Sequence, residues 1–269
     1  MRQPKKTEST LQIAVLLPEL LGTYGDGGNG EILAARARLR GIKAEVKAFH
    51  AADPIPESMD LYVMGGGEDT AQVIAAQQLR TDPGFNRAIA AGRPLLAICA
   101  GLQILGEWFT DGQGLQQPGT GMLDCTTSPM GARTIGELVI DGGPEFDQPL
   151  TGFENHGGGT VLGADARPLG RVLAGIGNVK DVNSTGSDPQ QWCSAGFDGA
   201  RQGSIIATYM HGPALARNPM LADYLLAAVL GVPTGELPKL AAPELGADIE
   251  SLRKDRLSFA LPPTASETR

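Results

Sequence analysis

Three sets of residues in this 269-residue chain could together support nucleophilic catalysis, and the first set surrounds Cys99. The apolar run at 94–98 predicts a buried strand, and residues 102–109 predict a helix directly after it. A turn this tight needs small neighbours, which Ala97 and Gly101 provide. The turn would place the thiol at a helix N-terminus, where the backbone dipoles favour the reactive thiolate. We therefore predict that Cys99 is a nucleophile rather than an inert buried cysteine.

A cysteine nucleophile needs a base, and the second set contains the candidate base His211. This histidine follows the predicted strand at 204–209, so it should project from the same edge of the sheet as Cys99. A histidine within hydrogen-bonding reach takes the thiol proton and later returns it to a leaving amine. His156, in a glycine-rich loop, is the alternative base, although its surroundings favour a role in the wall of the site.

Groups that could bind a substrate form the third set. Gly66 and Gly67 follow the predicted strand at 61–64, and glycines allow backbone N–H groups to approach a substrate closely. Together with the N–H of Ala100, they predict an oxyanion hole. Arg133 lies among small residues, where a guanidinium can bind a substrate carboxylate; a surface salt bridge is the alternative.

These residues need a scaffold, and the hydrophobic pattern predicts one. Apolar runs alternate with segments of helical pattern, which is typical of a parallel sheet with helices on both faces. The predicted strands are 13–17, 44–49, 61–64, 94–98 and 204–209, and the predicted helices are 31–40, 70–79, 84–91 and 218–230. Such sheets bind ligands beyond the carboxyl ends of their strands, where Cys99 is expected. Between 112 and 204 the pattern loosens and indicates only short strands.

The composition divides the chain into one domain with two appendages. Residues 1–10 are polar and predict a flexible tail, residues 11–231 predict one catalytic domain, and residues 232–269 form a proline-rich extension. A short charged helix is predicted at 248–256 within that extension. The extension is interpreted either as a docking segment for a partner or as a loosely ordered tail.

Charge and cysteine content exclude several classes of function. The net charge is −8 and no run of Lys and Arg forms a stripe, which argues against a nucleic-acid partner. No apolar stretch approaches a membrane span and no secretory signal precedes Leu11, so we expect a cytoplasmic protein. The three cysteines are too far apart for a metal site, and we interpret Cys125 and Cys193 as structural.

A glycine-rich segment at 25–30 matches the dinucleotide-binding pattern G-x-G-x-x-G, but its context is wrong. The true fingerprint begins directly after a strand, whereas this segment starts several residues later, and no acidic residue ends the second strand. The phosphate-binding pattern G-x-x-x-x-G-K-[ST] is absent from the sequence. Any ATP-dependent step must therefore use another polypeptide.

The motifs together resemble the class I glutamine amidotransferases, whose flavodoxin-like fold is a mostly parallel sheet with helices on both faces. Residues 98–103 are most similar to the CobB/CobQ-like branch. The segments 24–29, 152–158 and 209–213 resemble the glutaminase subunits (GatD) of lipid II isoglutaminyl synthases. The resemblance covers about residues 11–231.

This resemblance implies hydrolysis of L-glutamine through a thioester on Cys99, with Arg133 binding the glutamine. It implies that ammonia passes to a Mur-ligase-like, ATP-using subunit (MurT), which amidates D-glutamate of lipid II in peptidoglycan synthesis. No cofactor or metal is expected in this chain, because ATP and magnesium would bind the partner. The alternatives are an acceptor of the cobyric acid type, a cysteine hydrolase or peptidase, or a catalytically silent scaffolding subunit.

The chain departs from the family pattern at two positions. Ala97 replaces a glycine two residues before the nucleophile, and its small side chain should be tolerated. Pro213 stands where class I enzymes usually carry the glutamate that orients the histidine. We therefore predict that the third catalytic group is missing from this chain. In this interpretation the partner supplies a carboxylate to His211, and the chain alone is weakly active.

Overall fold

The computed structural model describes residues 9–179 and 196–261, so Cys193 and residues 1–8 of the predicted tail lie outside the described part. The strands are β1 (Leu11–Leu16), β2 (Ala44–Phe49), β3 (Leu61–Met64), β4 (Leu95–Ile98), β5 (Trp108–Thr110), β6 (Gln116–Pro118), β7 (Cys125–Asp141), β8 (Leu150–Leu162), β9 (Gly170–Ala174), β10 (Phe197–Asp198), β11 (Ala200–Gln202) and β12 (Ile205–Thr208). The helices are α1 (Gly28–Leu39), α2 (Asp69–Thr81), α3 (Pro83–Ala90), α4 (Ala100–Leu105), α5 (Ala214–Arg217), α6 (Pro219–Leu230) and α7 (Pro243–Ala260).

The first sheet has the strand order β11-β12-β4-β3-β1-β2. Its strands are parallel except for β11, which pairs antiparallel with β12. Strands β3, β4 and β12 are buried at every residue, as expected for continuous apolar runs covered on both faces. From β2 to β12 the order is that of a flavodoxin-like sheet, so the predicted fold class is confirmed.

The second sheet differs from the sequence-based expectation. Strands β10-β9-β7-β5-β6 form it in that order, β8 pairs with β7, and most of the pairings are antiparallel. β7 and β8 are 17 and 13 residues long, so the prediction of only short strands between 112 and 204 is wrong. Glycines and exposed polar residues interrupt the apolar alternation in both strands, which hides a long half-exposed hairpin from pattern analysis.

The helix after the nucleophile is also shorter than predicted. α4 ends at Leu105, and Gly106 leaves the helix with extended backbone angles. Trp108–Thr110 then forms β5 in the second sheet. A helix continued from 102 to 109 would have removed this strand. The short α4 instead leads from the turn that carries Cys99 to the first strand of the second sheet.

The C-terminal extension packs against the domain through α7. Arg253 on this helix is 1% exposed and donates hydrogen bonds to Pro149 O at 2.8 Å and to Asn218 Oδ1 at 3.1 Å. Just before α7, Ala241 N donates to Leu39 O at the end of α1. Among the described helices, none combines the length and the hydropathy that a membrane crossing requires.

Candidate active site

The turn after β4 holds Cys99 in a conformation that few side chains adopt. Its backbone angles are φ 51° and ψ −105°, and it is the residue that immediately precedes α4. Such angles are strained for a residue with a Cβ and persist only where the surroundings enforce them. Here Cys99 N donates to Thr208 O at 2.8 Å, which ties the turn to the end of β12. The thiol is thus fixed at the carboxyl edge of the parallel sheet.

His211 lies at the same edge and is paired with a carboxylate of this chain. Its Nδ1 is 2.7 Å from Asp26 Oδ2, and both side chains are almost completely buried. Its Nε2 is buried and has no hydrogen-bond partner in the described part of the chain. A Cβ built on Gly66 would lie 2.6 Å from His211 Cε1 and 3.3 Å from Cys99 Cβ. The imidazole and the thiol-bearing side chain therefore meet above Gly66.

This geometry corrects the prediction that the partner supplies the third catalytic group. Asp26 already occupies the Nδ1 side of His211, so a carboxylate from another subunit has no place to bind there. Pro213 fills a different role from the glutamate it replaces, because it packs against Gly28 at the start of α1; a Cβ on that glycine would lie 2.7 Å from Pro213 Cγ. The glycine-rich segment at 25–30 thus contains Asp26 and, at Gly28, leaves room for Pro213 in the loop that follows His211.

The glycines after β3 are required by close backbone packing, and only one of the two predicted oxyanion donors among them is available. A Cβ on Gly65 or Gly67 would lie within 2.4 Å of the carbonyl oxygens of Leu21 and Leu20. The prediction for Gly66 is wrong, because its N–H donates to Asp26 Oδ2 at 3.0 Å. Gly67 lines the pocket, and its N–H has no partner among the described residues.

The electrostatic surroundings keep the Cys99 thiol protonated in this conformation. Burial raises its pKa to about 12, and the negative charge of Asp26 adds to the increase. The N–H of Ala100 and the guanidinium of Arg133 act in the opposite direction but do not balance the burial. Because the thiolate is the nucleophile, attack requires transfer of the thiol proton to a nearby base.

Arg133 reaches the pocket from a bulge in the second sheet. Pro129 pairs with Gly158 and Thr134 pairs with His156, so residues 130–133 bulge out of the register. Arg133 Nη1 donates to Asn155 Oδ1 at 2.8 Å, and both residues line the pocket with Cys99 and His211. A guanidinium at this position can receive the carboxylate of an amino-acid substrate.

His156 forms part of the pocket wall. It is 2% exposed, and its ring stacks on Tyr209 with centroids 3.7 Å apart. Nδ1 is 2.8 Å from Gly158 O, and Nε2 is 3.4 Å from a carboxylate oxygen of Glu154. Because both ring nitrogens already have partners, His156 is less suited than His211 to accept a proton from the thiol.

Sequence reasoning missed Asp26 as a third catalytic group and did not identify Gln103 as a pocket residue. Gln103 lies one helical turn after Cys99, donates to Tyr209 Oη at 3.1 Å, and accepts from Gln72 Nε2 at 2.8 Å. Its spacing from Cys99 places both on one helix face, which was a usable signal. Asp26 follows β1 at the same sheet edge as Cys99, a placement that also pointed to the site.

Known proteins are similar to this chain over most of its length. A family model described as a CobB/CobQ-like glutamine amidotransferase domain matches residues 12–219. The lipid II isoglutaminyl synthase (glutamine-hydrolyzing) subunit GatD of Staphylococcus aureus (strain N315) is 33% identical over 218 residues, covering 80% of this chain and 83% of that protein. The same subunit of Streptococcus pneumoniae (strain ATCC BAA-255 / R6) is also 33% identical, covering 87% and 86%. A cobyric acid synthase of Pelotomaculum thermopropionicum (strain DSM 13744 / JCM 10971 / SI) is 31% identical, covering 94% of this chain and 47% of that protein.

Proposed function

Because this chain belongs to the CobB/CobQ-like glutamine amidotransferase family, we propose that it is a glutaminase subunit that supplies ammonia for amidation of lipid II. The observation that carries the proposal is the pairing of His211 Nδ1 with Asp26 beside Cys99, with no hydrogen bond to Nε2 from any described residue. A histidine held in this way has its free nitrogen available for a proton. The arrangement supports acyl transfer from a carboxamide to a thiol.

In the first half of the reaction, Cys99 Sγ attacks the side-chain amide carbon of glutamine. The thiol proton moves to His211 Nε2, and Asp26 stabilises the imidazolium that forms. The N–H groups of Gly67 and Ala100 are the donors available to the oxyanion of the tetrahedral intermediate. Collapse of the intermediate breaks the C–N bond, and His211 returns the proton to the departing ammonia.

In the second half, water attacks the thioester and completes the hydrolysis. His211 Nε2 takes a proton from the water, the C–S bond breaks, and the proton returns to Cys99 Sγ. The products are glutamate and ammonia, and the thiol is regenerated. Arg133 binds the α-carboxylate of glutamine throughout, which keeps the reacting amide next to Cys99.

The acceptor and the partner are further parts of the proposal. The two GatD relatives match over most of their own length and are named as subunits of lipid II isoglutaminyl synthases, which supports lipid II as the acceptor and a second subunit as the recipient of ammonia. We propose that this subunit is the Mur-ligase-like, ATP-using protein (MurT). ATP and magnesium would bind that subunit, since this sequence has no phosphate-binding loop. We place the reaction in the cytoplasm, where the ATP-using step can occur.

The first test measures release of ammonia and glutamate from L-glutamine, with and without a co-purified Mur-ligase-like protein. We expect measurable release by the chain alone, because Asp26 completes the catalytic group in cis, and faster release with the partner. Cys99→Ala should abolish it. Cys125→Ala is the matched control, because this second buried cysteine lies in β7 outside the pocket and should leave release in place. No release by the wild-type chain under either condition would overturn the proposal.

The match to cobyric acid synthases supports one alternative, in which the ammonia serves another carboxylate acceptor. The two acceptors are separated by supplying lipid II or a cobyric acid precursor together with the corresponding ATP-using protein. A cysteine hydrolase or peptidase would release no ammonia from glutamine. A silent scaffolding subunit would not be labelled at Cys99 by 6-diazo-5-oxo-norleucine, an electrophilic glutamine analogue.

A further inference from the structure

Tyr24 joins two sides of the Cys99 pocket, and its contacts bear on how the site opens. Its ring lies edge-on against the His211 imidazole, with centroids 4.8 Å apart and planes at 60°. Its hydroxyl is hydrogen-bonded to the side-chain amide of Asn155 on β8. One side chain therefore contacts both the proposed base and the opposite wall of the pocket.

Asn155 extends this connection to the substrate-binding guanidinium. Its Oδ1 accepts a hydrogen bond from Arg133, so Tyr24, Asn155 and Arg133 form a row of contacts across the pocket, which we call the strap. Tyr24 is 47% exposed while also lining the pocket, so the strap has one side in solvent and one side facing the site. The Tyr24–Asn155 bond joins neutral groups and is the weaker of the two links.

The space beneath the strap is too small for the substrate. The cavity volume is about 50 Å³. A water molecule needs at least roughly 10–15 Å³ of such volume, so the cavity holds on the order of four waters. Glutamine has more non-hydrogen atoms than that. A bound glutamine therefore needs more room than this pocket offers, and the strap is the part of its lining that combines exposure with a weak link.

The backbone at Tyr24 is suited to such a movement. Its φ of +59° lies in the left-handed region, which an aromatic residue seldom adopts without support from its surroundings. The next residue, Gly25, has φ +77° and no atom within 4 Å of the position of an added Cβ. Asp26 follows directly. A rotation at 24–25 would therefore move the ring that contacts His211 while changing the backbone next to its carboxylate partner.

We propose that Tyr24 is a positioning residue of the glutaminase site: its ring orients His211 toward Cys99, and release of its hydroxyl from Asn155 admits glutamine. This inference rests on the proposed function and adds to it a means of controlling access. Opening exposes the thiol to substrate, and closing restores the contact of the ring with the base. The strap thereby links substrate entry to the orientation of the imidazole.

Two substitutions separate the functions of ring and hydroxyl. Tyr24→Ala removes both, and we expect kcat for glutamine to fall about 100-fold, because the ring no longer orients the base. KM should not rise above the wild-type value, because the ring does not bind the substrate and loss of the hydroxyl link favours the open pocket. Tyr24→Phe keeps the ring and should restore most of kcat. Phe259→Ala, which removes an exposed aromatic ring on α7, is the matched control and should change neither constant.

Access is measured independently by alkylation of Cys99 with iodoacetamide, followed by peptide mass spectrometry. Tyr24→Phe and Asn155→Ala each break the link, so each should speed alkylation severalfold, and the double variant should be no faster than either single variant. Wild-type alkylation rates in both single variants, or unchanged kcat in folded Tyr24→Ala, would overturn the inference. If the wild-type chain releases no ammonia, the proposed function fails, whereas the alkylation rates still decide whether the strap controls access.

Discussion

At the scale of single residues, the contact between Asp26 and His211 sets the orientation of the base. With Asp26 ionised, Nδ1 carries the proton and donates it to the carboxylate, so Nε2 is the nitrogen that can accept the thiol proton. Asp26 is itself fixed by the N–H of Gly66. Under the proposed mechanism, a carboxylate in this position completes the catalytic group within one chain, which is the opposite of what the replacement of glutamate by Pro213 suggested.

Replacing Asp26 by asparagine tests this assignment. The amide favours the wrong tautomer of His211, and we expect kcat for glutamine hydrolysis to fall by about 10²–10⁴ with little change in KM. Asp53→Asn, in an exposed loop, is the control and should retain wild-type kcat. Thermal unfolding of each variant establishes that it is folded. Full activity of Asp26→Asn would show that the contact is structural only.

At the scale of secondary-structure elements, the turn between β3 and α2 determines how closely His211 and Cys99 can approach. Gly65 and Gly67 make room for the backbone at residues 20 and 21, and Gly66 makes room for the two catalytic side chains. The run of three glycines therefore meets three separate steric requirements. Only the requirement at Gly66 involves residues of the proposed reaction.

Gly66→Ala would place a methyl group 2.6 Å from His211 Cε1 and 3.3 Å from Cys99 Cβ. The imidazole must move, and a displacement of about 1 Å in a catalytic group can cost on the order of 100-fold in rate. We expect a loss of this size in glutamine hydrolysis. Gly136→Ala in β7 is the matched control, since an added Cβ there meets no atom within 4 Å. Equal activity of the two variants would contradict the steric assignment.

The junction between β10 and β12 contains a buried carboxyl whose titration should be visible in stability. Asp198 accepts hydrogen bonds from Thr208 Oγ1 at 2.5 Å and Tyr209 N at 3.2 Å. Burial raises its pKa from 3.8 to about 6. Between these values the folded chain holds a proton that the unfolded chain releases. The stability from this group is therefore present below about pH 4 and is lost as the pH rises through 6.

Asp198→Asn removes this titration, because the amide is neutral throughout the range. The free energy of unfolding of the variant, relative to wild type, should rise by about 2 kcal/mol between pH 4 and pH 7, which corresponds to the part of the pKa shift that takes effect in this range. Urea unfolding at several pH values measures it. The control Asp255→Asn replaces an exposed residue of α7 and should show no such dependence on pH. A difference that is constant with pH would mean that Asp198 titrates normally.

At the level of the whole molecule, α7 packs against the domain where the end of α5 lies next to the start of β8. Arg253 is inserted between the end of α5 and the start of β8, where it donates to the backbone carbonyls of Arg217 and Pro149. Burial lowers the pKa of its guanidinium, while the nearby Glu250 raises it. Hydrogen bonds from this cation, together with those of Ala241 N to Leu39 O and of Gln148 to Glu250, hold the extension. None of its described residues lines the Cys99 pocket.

Replacing Arg253 by methionine should destabilise the protein without changing its chemistry. The change leaves buried carbonyl groups without a donor, and we expect a loss of about 2–3 kcal/mol in the free energy of unfolding. Arg256→Met on the same helix is exposed and should cost less than about 0.5 kcal/mol. Denaturant unfolding gives both values, and glutamine hydrolysis well below the midpoint should match wild type. Equal stability of the two variants would show that α7 contributes little to the fold.

Features that depend on neighbouring residues could be predicted from the amino-acid sequence. The apolar runs of β1, β3, β4 and β12 identified the parallel sheet, because strands buried on both faces are apolar at nearly every position. The small residues around Cys99 identified the strand-to-helix turn, because only such neighbours fit it. His211 followed from the same reasoning, as a residue at the carboxyl end of a parallel strand.

Contacts between residues that are distant in the chain became apparent only from the folded structure. Asp26 and His211 are 185 residues apart in the chain, and no local pattern specifies their contact. The same holds for Gly66, whose N–H is taken by Asp26, and for Tyr24, whose hydroxyl reaches Asn155. Local patterns record which face of an element is buried, whereas a hydrogen bond between loops depends on how the sheets are ordered and packed. The position of Asp26 after β1 could be read from the sequence, but its contact with His211 could be assigned only in the folded chain.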